Sequence, residues 1–145
     1  MSEIRELFEG QTQWGAAAML ALRPRWETVQ AVVELIDTRL RPVGYRLAGV
    51  FDEGRDEAVS VVGFRAAWSS AWGRYLYVDD LSTLPDARGR GHADLLLRWV
   101  KEQARGLGCE AVHLDSGVAA DRAPAHRLYM RHHMAISAHH FEVAL

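Results

Sequence analysis

The stretch Arg88-Gly89-Arg90-Gly91-His92-Ala93 joins a strand-like run, residues 75–83, to an amphipathic pattern of helical period. Glycines can adopt positive φ angles and let the backbone approach a ligand closely, so successive N–H groups in such a turn can converge on one anion. The first turn of the following helix adds unpaired N–H donors and the positive end of the helix dipole. Together with its two arginines, this turn predicts a binding site for a phosphate or pyrophosphate group.

The spacing of the glycines separates this turn from two common nucleotide-binding loops. A Walker-type loop closes with Gly-Lys-Ser/Thr, whereas this turn continues as His92-Ala93-Asp94. A dinucleotide-binding turn needs Gly-x-Gly-x-x-Gly within a parallel βαβ unit, and the glycines here are misplaced for it. An ordinary strand-to-helix turn uses the same residue types, so the surrounding sequence has to decide.

Hydrophobic periodicity on both sides of the turn predicts an α/β domain. Strands are expected at residues 45–51, 58–68, 75–83, 110–115 and 135–144, and helices at residues 12–22, 29–40, 91–107 and 124–132. Short polar segments separate the three strands before the turn, so we expect these strands to form an antiparallel meander. The helix that follows begins where the anion would lie.

Length and composition indicate a single domain, residues 1–145. With 145 residues and 49% hydrophobic content, the chain can bury one core of ordinary size. The formal net charge is −2 and the charges are mixed along the chain, which argues against nucleic acid or an anionic membrane as partner. Cys109 is the only cysteine, so an internal disulfide is excluded and a reducing compartment, the cytoplasm, is expected.

The apolar run 14–22 lies near the N-terminus, where a secretion signal would have its hydrophobic part. Glu3, Glu6 and Glu9 make the preceding segment acidic, whereas a signal peptide has a basic one. The run is also too short to span a bilayer. We therefore expect neither a targeting segment nor a membrane segment.

Seven histidines raise the question of a metal site. The pairs His132-His133 and His139-His140 consist of adjacent residues, which point to different faces of a strand or helix. Neither pair therefore forms a natural two-ligand clamp, and Cys109 is isolated. We expect no metal.

Two segments on either side of the glycine-rich turn complete a recognisable pattern. Upstream the chain reads Asp79-Asp80-Leu81-Ser82-Thr83-Leu84-Pro85, and downstream it reads Ala125-His126-Arg127-Leu128-Tyr129-Met130-Arg131. Within the turn, Arg88, Gly91 and Ala93 follow the spacing Arg/Gln-x-x-Gly-x-Gly/Ala. In this order the three motifs resemble the fourth strand, motif A and the Ala-x-x-x-Tyr-x-Lys/Arg helix of the GNAT superfamily of acetyl-CoA-dependent N-acetyltransferases. The resemblance covers residues 45–141.

This resemblance implies a fold and an acyl donor. The fold would be a three-layer α/β arrangement, in which a mixed, mostly antiparallel sheet with splayed central strands is flanked by helices. The donor would be acetyl-CoA, whose pantetheine arm would bind backbone groups of Leu81, Ser82 and Thr83. Its pyrophosphate would bind the turn formed by Arg88, Gly89, Arg90, Gly91, His92 and Ala93.

The reaction implied by the resemblance is attack of a neutral amine on a thioester, followed by expulsion of a thiolate. A primary alkylamine has a pKa of about 10.4, so at neutral pH a group must accept or relay its proton. Asp79 and Asp80 are candidates for this role or for holding the ammonium group, and Asp79 is preferred because it shares side-chain parity with Leu81 and Thr83. Tyr129 matches the family tyrosine that protonates the thiolate, since a phenol with a pKa of about 10 is protonated at pH 7.

Several alternatives stay open. One of His113, His139 and His140 could act as the base, because an imidazole pKa of about 6.5 suits proton transfer. The tryptophans could line the acceptor cleft or belong to the core; those concerned are Trp14, Trp26, Trp68 and Trp72. The acceptor could be a small-molecule amine or a peptide amine, and related proteins are frequently homodimers. A catalytically silent acyl-CoA-binding regulatory module is the alternative function.

Four residues depart from the family pattern. Asp94 brings a carboxylate close to the expected pyrophosphate, although it could instead cap the helix. Arg122 stands where the family often has asparagine on the approach to the last helix. His133 and Met134 replace a common Gly-Phe, so a side chain occupies a position that often takes positive φ. These changes could alter the acceptor pocket without removing donor binding.

Overall fold

A computed structural model describes residues 2–145. The strands are β1 (Glu3–Leu7), β2 (Arg46–Phe51), β3 (Ser60–Ser69), β4 (Gly73–Thr83) and β5 (Ala111–Leu114), and the α-helices are α1 (Ala16–Leu22), α2 (Val29–Leu35), α3 (His92–Gly106) and α4 (Ala123–Arg131). Turns of 3-10 helix lie at Thr12–Gly15, Pro24–Trp26, Arg41–Val43, Pro85–Ala87 and Ala120–Arg122, and a π-helical segment, Ile36–Leu40, extends α2.

The strands form a sheet in the order β1-β2-β3-β4-β5. The pairs β1/β2, β2/β3 and β3/β4 are antiparallel. Between β4 and β5 the chain passes through α3, the kind of connection that joins parallel strands. The start of α3 therefore lies just past the carboxyl end of β4.

Helices pack on both faces of this sheet. On one face, Met19 of α1 and Ile36 after α2 share a buried cluster with Leu47 and Val61 of the sheet. On the other face, Phe64 of β3 meets Trp99 of α3 edge to face, with 5.7 Å between ring centroids. Because successive strand residues point to opposite faces, β3 supplies apolar side chains to both layers.

A β-bulge interrupts the pairing of β3 with β4. Gly63 lies opposite Asp80, whereas the next residue of β3, Phe64, lies opposite Val78. Asp79 is therefore the extra residue of β4, and the alternation of side chains shifts at this point.

Two compact units are distinguished along the chain, one ending at His113 and the other comprising Leu114–Leu145. The first contains α1 to α3 and the strands up to His113, and the second contains α4. No helix among residues 2–145 is long and apolar enough to cross a membrane.

The predicted α/β class, with a sheet flanked by helices, is confirmed. The strand β1 was not expected from the sequence pattern. The strand predicted at 135–144 is wrong, since residues 135–145 form neither helix nor strand. Strand pairing needs a neighbour for its backbone groups, and in this segment Ile136, Phe141 and Val143 are exposed.

Candidate active site

The glycine-rich turn has the backbone conformation that an anion site requires. Gly89 has φ +78° and Gly91 has φ +83°, both in the left-handed region. Gly91 is the N-cap residue of α3, a helix of 15 residues. A Cβ atom added to either glycine would meet no other atom within 4 Å, so these glycines serve backbone geometry and leave open space beside the turn. The first N–H groups of α3 therefore border an accessible surface.

Asp52, which follows β2, contacts two side chains of this turn. Its carboxylate lies 3.1 Å from Nη2 of Arg90, 3.6 Å from Nε2 of His92, and accepts a 2.7 Å hydrogen bond from Oγ of Ser2. The hydrogen bond from Ser2 lowers the pKa of Asp52, and the charge of Arg90 acts in the same direction. The negatively charged Asp52 thus helps to hold the turn in place, a contact that the sequence did not reveal.

The two flanking side chains of the turn, His92 and Arg88, face different surroundings. His92 is 6% exposed, and within the described residues its Nε2 has no hydrogen-bond partner. Only the backbone N–H of His92 is therefore placed for an external anion. Arg88 is exposed and its Nε lies 3.4 Å from the carbonyl oxygen of Thr83, so its guanidinium group stays close to the turn.

Asp94 stabilises the same helix end. Gly91, the N-cap residue of α3, has no side chain that could cap the helix. Asp94 lies in the first turn and pairs with Arg98 at 2.7 Å, an i,i+4 contact. Its charge is favoured there by the helix dipole and is partly neutralised by Arg98.

The end of β4 lies beside this turn and is held from two sides. Oγ of Ser82 donates to the carbonyl oxygen of Ala18 in α1 at 2.8 Å. Oγ of Ser60 donates to the carbonyl oxygen of Ser82 at 3.0 Å and lies 2.8 Å from Oγ1 of Thr83. These contacts fix the backbone of the segment predicted to bind pantetheine.

The end of β4 extends beyond the part of the strand that β5 can pair with. The amide of Glu110, just before β5, donates to the carbonyl oxygen of Arg74 at 2.8 Å, near the start of β4. β5 has 4 residues and β4 has 11, and Leu81 is seven residues beyond Arg74, a span of about 23 Å at about 3.3 Å per residue. β5 is too short to reach Leu81. The backbone of Leu81, Ser82 and Thr83 is therefore not paired with β5.

The bulge places both aspartates on one face of the sheet. Asp80 lies opposite Gly63, and Asp79 accepts hydrogen bonds from Arg65, which is two residues along β3 from Gly63. Residues two apart on a strand share a face, so the carboxylates lie together on the face covered by α1. The parity used to prefer Asp79 does not hold, because Leu81 lies opposite Val62 and points to the other face.

Each carboxylate has an arginine partner. Arg23, after α1, donates from Nε to Oδ1 of Asp80 at 2.9 Å and from Nη2 to the carbonyl oxygen of Asp79 at 3.0 Å. Arg65 donates from Nε to Oδ2 of Asp79 at 3.0 Å and from Nη2 to Oδ1 at 3.2 Å. Burial raises the pKa of Asp79, although the hydrogen bonds and charge of Arg65 oppose this shift.

Tyr45 completes the surroundings of Asp80. Asp80 is 8% exposed, and its Oδ2 accepts a 2.7 Å hydrogen bond from the Tyr45 hydroxyl. Burial raises the pKa of Tyr45 well above its usual value, and the negative charge of Asp80 adds to the shift, so Tyr45 remains a donor. A Cβ on Gly63 would lie 1.7 Å from the Tyr45 hydroxyl oxygen, so only glycine leaves room for this contact.

Tyr129 lies on α4, in the second unit. Burial raises its pKa, with Arg122 acting in the opposite direction. Arg122, one of the departures from the family pattern, therefore interacts with the Tyr129 hydroxyl. His133 takes φ +61°, so the left-handed backbone conformation persists there without glycine.

The remaining sequence candidates are distributed over both units. His113 stacks on Trp72 with 3.8 Å between ring centroids. Trp68 is exposed and lies beneath the guanidinium of Arg74, on the face that Phe64 shares with α3 rather than the face of the aspartates. His140 contacts Asp115 at 3.1 Å within the second unit. Among residues 2–145, no group of three or more His, Cys, Asp or Glu side chains is arranged to hold a metal ion.

Four supporting residues were not found from the sequence: Arg23, Tyr45, Asp52 and Arg65. Arg23 and Tyr45 are separated from Asp80 by 57 and 35 positions. Asp52 is separated from Arg90 by a comparable distance, and its position after a strand is common to many turn residues. Periodicity identifies elements but not which of their ends meet, so no local signal pointed to these contacts.

A model of the acetyltransferase (GNAT) family matches residues 3–134. The match confirms the resemblance carried by the three motifs and extends it to the N-terminal residues that the motifs left out. No curated protein matches the sequence.

Several solved structures share the fold. A ribosomal-protein-alanine N-acetyltransferase from Brucella melitensis biovar Abortus 2308 is 17% identical, with 100% of this chain and 99% of that chain covered and a TM-score of 0.82. An aminoglycoside N-acetyltransferase in complex with CoA is 13% identical, with 100% and 95% covered and a TM-score of 0.82. A transcriptional regulator from Bacillus halodurans C-125 is 18% identical, with 100% of both chains covered and a TM-score of 0.82. At these identities the likeness shows the fold alone.

Proposed function

Because this chain belongs to the acetyltransferase (GNAT) family, we propose that it transfers an acetyl group from acetyl-CoA to an amine of a small molecule or peptide. The amine attacks the thioester directly within a ternary complex, and no covalent enzyme intermediate forms. The observation that carries this proposal is the left-handed Gly89/Gly91 turn, which leads from the end of β4 into the N-terminus of α3.

Donor binding divides between two backbone surfaces. The turn from Arg88 to Ala93 binds the pyrophosphate through main-chain N–H groups and the exposed Arg88 side chain. Since Asp52 already pairs with Arg90, the backbone contributes more than that arginine does. Leu81, Ser82 and Thr83 offer backbone groups to the amide-rich pantetheine arm.

The bulge on β4 provides the acceptor side of the reaction. Asp79 accepts or relays the proton of the incoming ammonium group, and its raised pKa makes it a better proton acceptor than an ordinary aspartate. Asp80 is buried and bonded to Arg23 and Tyr45, so it holds the bulge in place. We assign proton transfer to Asp79 and support to Asp80.

Tyr129 protonates the departing thiolate. Its pKa is raised by burial, so the phenol carries its proton throughout the neutral range. The bond between amine nitrogen and acetyl carbon forms as the carbon–sulfur bond breaks, and the phenolic proton passes to sulfur. The ammonium group loses two protons in all. The first, accepted by Asp79 before attack, returns to solvent. The second leaves nitrogen for solvent after attack, and Tyr129 is reprotonated from solvent.

Release of free CoA thiol from acetyl-CoA in the presence of a diverse amine panel tests this function. Tyr129→Phe is expected to lower kcat about 100-fold or more, the contribution of a positioned proton donor, while the Kd for CoA changes by less than about threefold. An unchanged kcat would remove Tyr129 from the reaction. CoA affinity without thiol release for any amine would replace the enzyme with a CoA-binding module.

A further inference from the structure

The two arginines at the bulge point to the chemistry of the acceptor. Arg23 and Arg65 both bind Asp79, one at its carbonyl oxygen and the other at its carboxylate, so their guanidinium groups are neighbours. Both lie on the face of the sheet that carries the two aspartates. Their side chains are 47% and 39% exposed, so each also reaches the surface.

The charges of this cluster cancel. Asp79 and Asp80 contribute two negative charges, and Arg23 and Arg65 contribute two positive charges in direct contact with them. A site selective for a polycation would instead leave its carboxylates unneutralised, because a second ammonium group needs an unpaired partner. The pairing therefore disfavours polyamine and aminosugar acceptors.

Each guanidinium keeps donors for a further anion. The hydrogen bonds from Arg23 and Arg65 to the aspartates use Nε and Nη2, whereas a guanidinium group carries five N–H donors. The Arg65 guanidinium also lies over the Tyr77 ring, 5.3 Å from its centroid, which fixes its plane. The remaining edge of the guanidinium, formed by Nη1 and the second hydrogen of Nη2, offers two N–H donors that match the two oxygens of a carboxylate.

We propose that the acceptor is an amine that itself carries a carboxylate, such as a free amino acid or an acidic peptide. Its carboxylate binds the Nη1 side of Arg65, assisted by Arg23, and its ammonium group faces Asp79. An acceptor with both charges meets a site with both charges. This inference rests on the proposed acetyltransferase function and narrows it to one substrate class.

Matched acceptor pairs test this inference. Amino acids with different side chains are compared with their carboxamides in the thiol-release assay, and kcat/KM is expected to be about 10- to 100-fold higher for the acids, the range for a charge-assisted hydrogen bond. Loss of the neighbouring carboxylate makes the ammonium group more acidic, so the carboxamides hold more neutral amine at pH 7. Intrinsic reactivity thus runs against the expected preference.

Three variants locate the effect. Arg65→Gln should remove most of the preference for acids, and Arg65→Lys should restore only part of it, because lysine lacks the planar fork. Arg74→Gln removes an arginine from the opposite face of the same sheet and should retain the preference. A preference that survives the double change Arg23→Gln/Arg65→Gln would overturn the assignment.

A binding measurement separates this inference from the proposed function. N-acetyl amino acids and their carboxamides, as product pairs, are titrated calorimetrically into the protein saturated with CoA, which requires no turnover. Tighter binding of the acids, lost in Arg65→Gln, supports the inference, and equal binding refutes it. Carboxamide turnover without a preference for acids refutes only the proposed substrate class. Absence of CoA affinity refutes the proposed acetyltransferase function. In that case the product pairs are titrated without CoA, and a preference for the acids is interpreted in the same way.

Discussion

Tyr45 illustrates how one side chain determines the state of the candidate site. Its hydroxyl donates to Asp80 in the core, where an unpartnered carboxylate would be strongly unfavourable. The raised pKa of Tyr45 follows from burial and from the charge of Asp80, so the hydroxyl keeps its proton and the hydrogen bond persists at neutral pH. The Asp80 carboxylate thus accepts hydrogen bonds from two donors, Tyr45 and Arg23.

Replacement of Tyr45 with phenylalanine should destabilise the protein by about 1.5–3 kcal/mol, the usual contribution of a hydrogen bond to a charged group. The midpoint of urea unfolding, with an unchanged m-value, measures this loss. Tyr75→Phe removes a hydroxyl from a half-buried position of β4 and should change the free energy of unfolding by less than about 0.5 kcal/mol. Equal effects of the two substitutions would contradict the role given to the Tyr45 hydroxyl.

Asp52 predicts a pH dependence of stability. Its pKa is lowered in the folded protein, so it contributes stability above its unfolded pKa of about 3.9, and this contribution is lost as the pH falls through the folded pKa. Asp52→Asn should therefore lower the melting temperature at pH 6 to 7, with a difference that shrinks below about pH 4. The exposed Asp56 of the same loop provides the control Asp56→Asn, which should show no such convergence.

Among the elements, β4 decides the geometry of the site through a single inserted residue. The bulge at Asp79 shifts the alternation of side chains, so consecutive carboxylates share a face. Gly63 on β3 permits this arrangement, because its missing side chain leaves the space that Tyr45 occupies. A regular strand would have placed one of the two aspartates on the opposite face.

At the turn before α3, the effect of backbone conformation can be tested without a change in steric contacts. Gly91→Ala introduces no steric contact but imposes about 1–2 kcal/mol of strain at φ +83°, and relaxation of this strain should misalign the N–H groups. We expect CoA affinity, measured by calorimetry, to fall about 5- to 30-fold.

Gly10 offers a matched control for that substitution. It has φ +87° and equally open surroundings, in the turn after β1. Gly10→Ala should lower the melting temperature to a similar extent and leave CoA affinity unchanged. If both variants bound CoA like the wild-type protein, the turn would not be the anion site.

What the sequence could predict follows the distinction between local and distant interactions. The glycine turn and α3 were predictable because glycine spacing and a 3.6-residue period are local properties. The bulge at Asp79 was not, since a bulge arises from pairing with a partner strand and leaves no clear periodic signal. The strand expected at residues 135–144 does not form, because apolar residues in a segment do not specify a strand for it to pair with.

In the molecule as a whole, spectroscopic probes are unevenly distributed between the two compact units. The five tryptophans are residues 14, 26, 68, 72 and 99, and all precede His113. Tryptophan fluorescence therefore reports on the unit that carries the glycine turn and the bulge. Tyr129 and α4 belong to the other unit, so far-UV circular dichroism is needed to follow α4.

CoA should raise the melting temperature observed by tryptophan fluorescence. At a ligand concentration 100 times its Kd, binding contributes about 2.7 kcal/mol, which corresponds to about 5–10 °C for a chain of this size. ADP has the diphosphate but not the pantetheine arm, so it should give a smaller shift, because it engages the turn at Gly91 without the edge of β4. Equal shifts with ADP and CoA would mean that the turn makes the whole interaction and that Leu81, Ser82 and Thr83 have no role in donor binding. No shift with either ligand would contradict the proposed donor site.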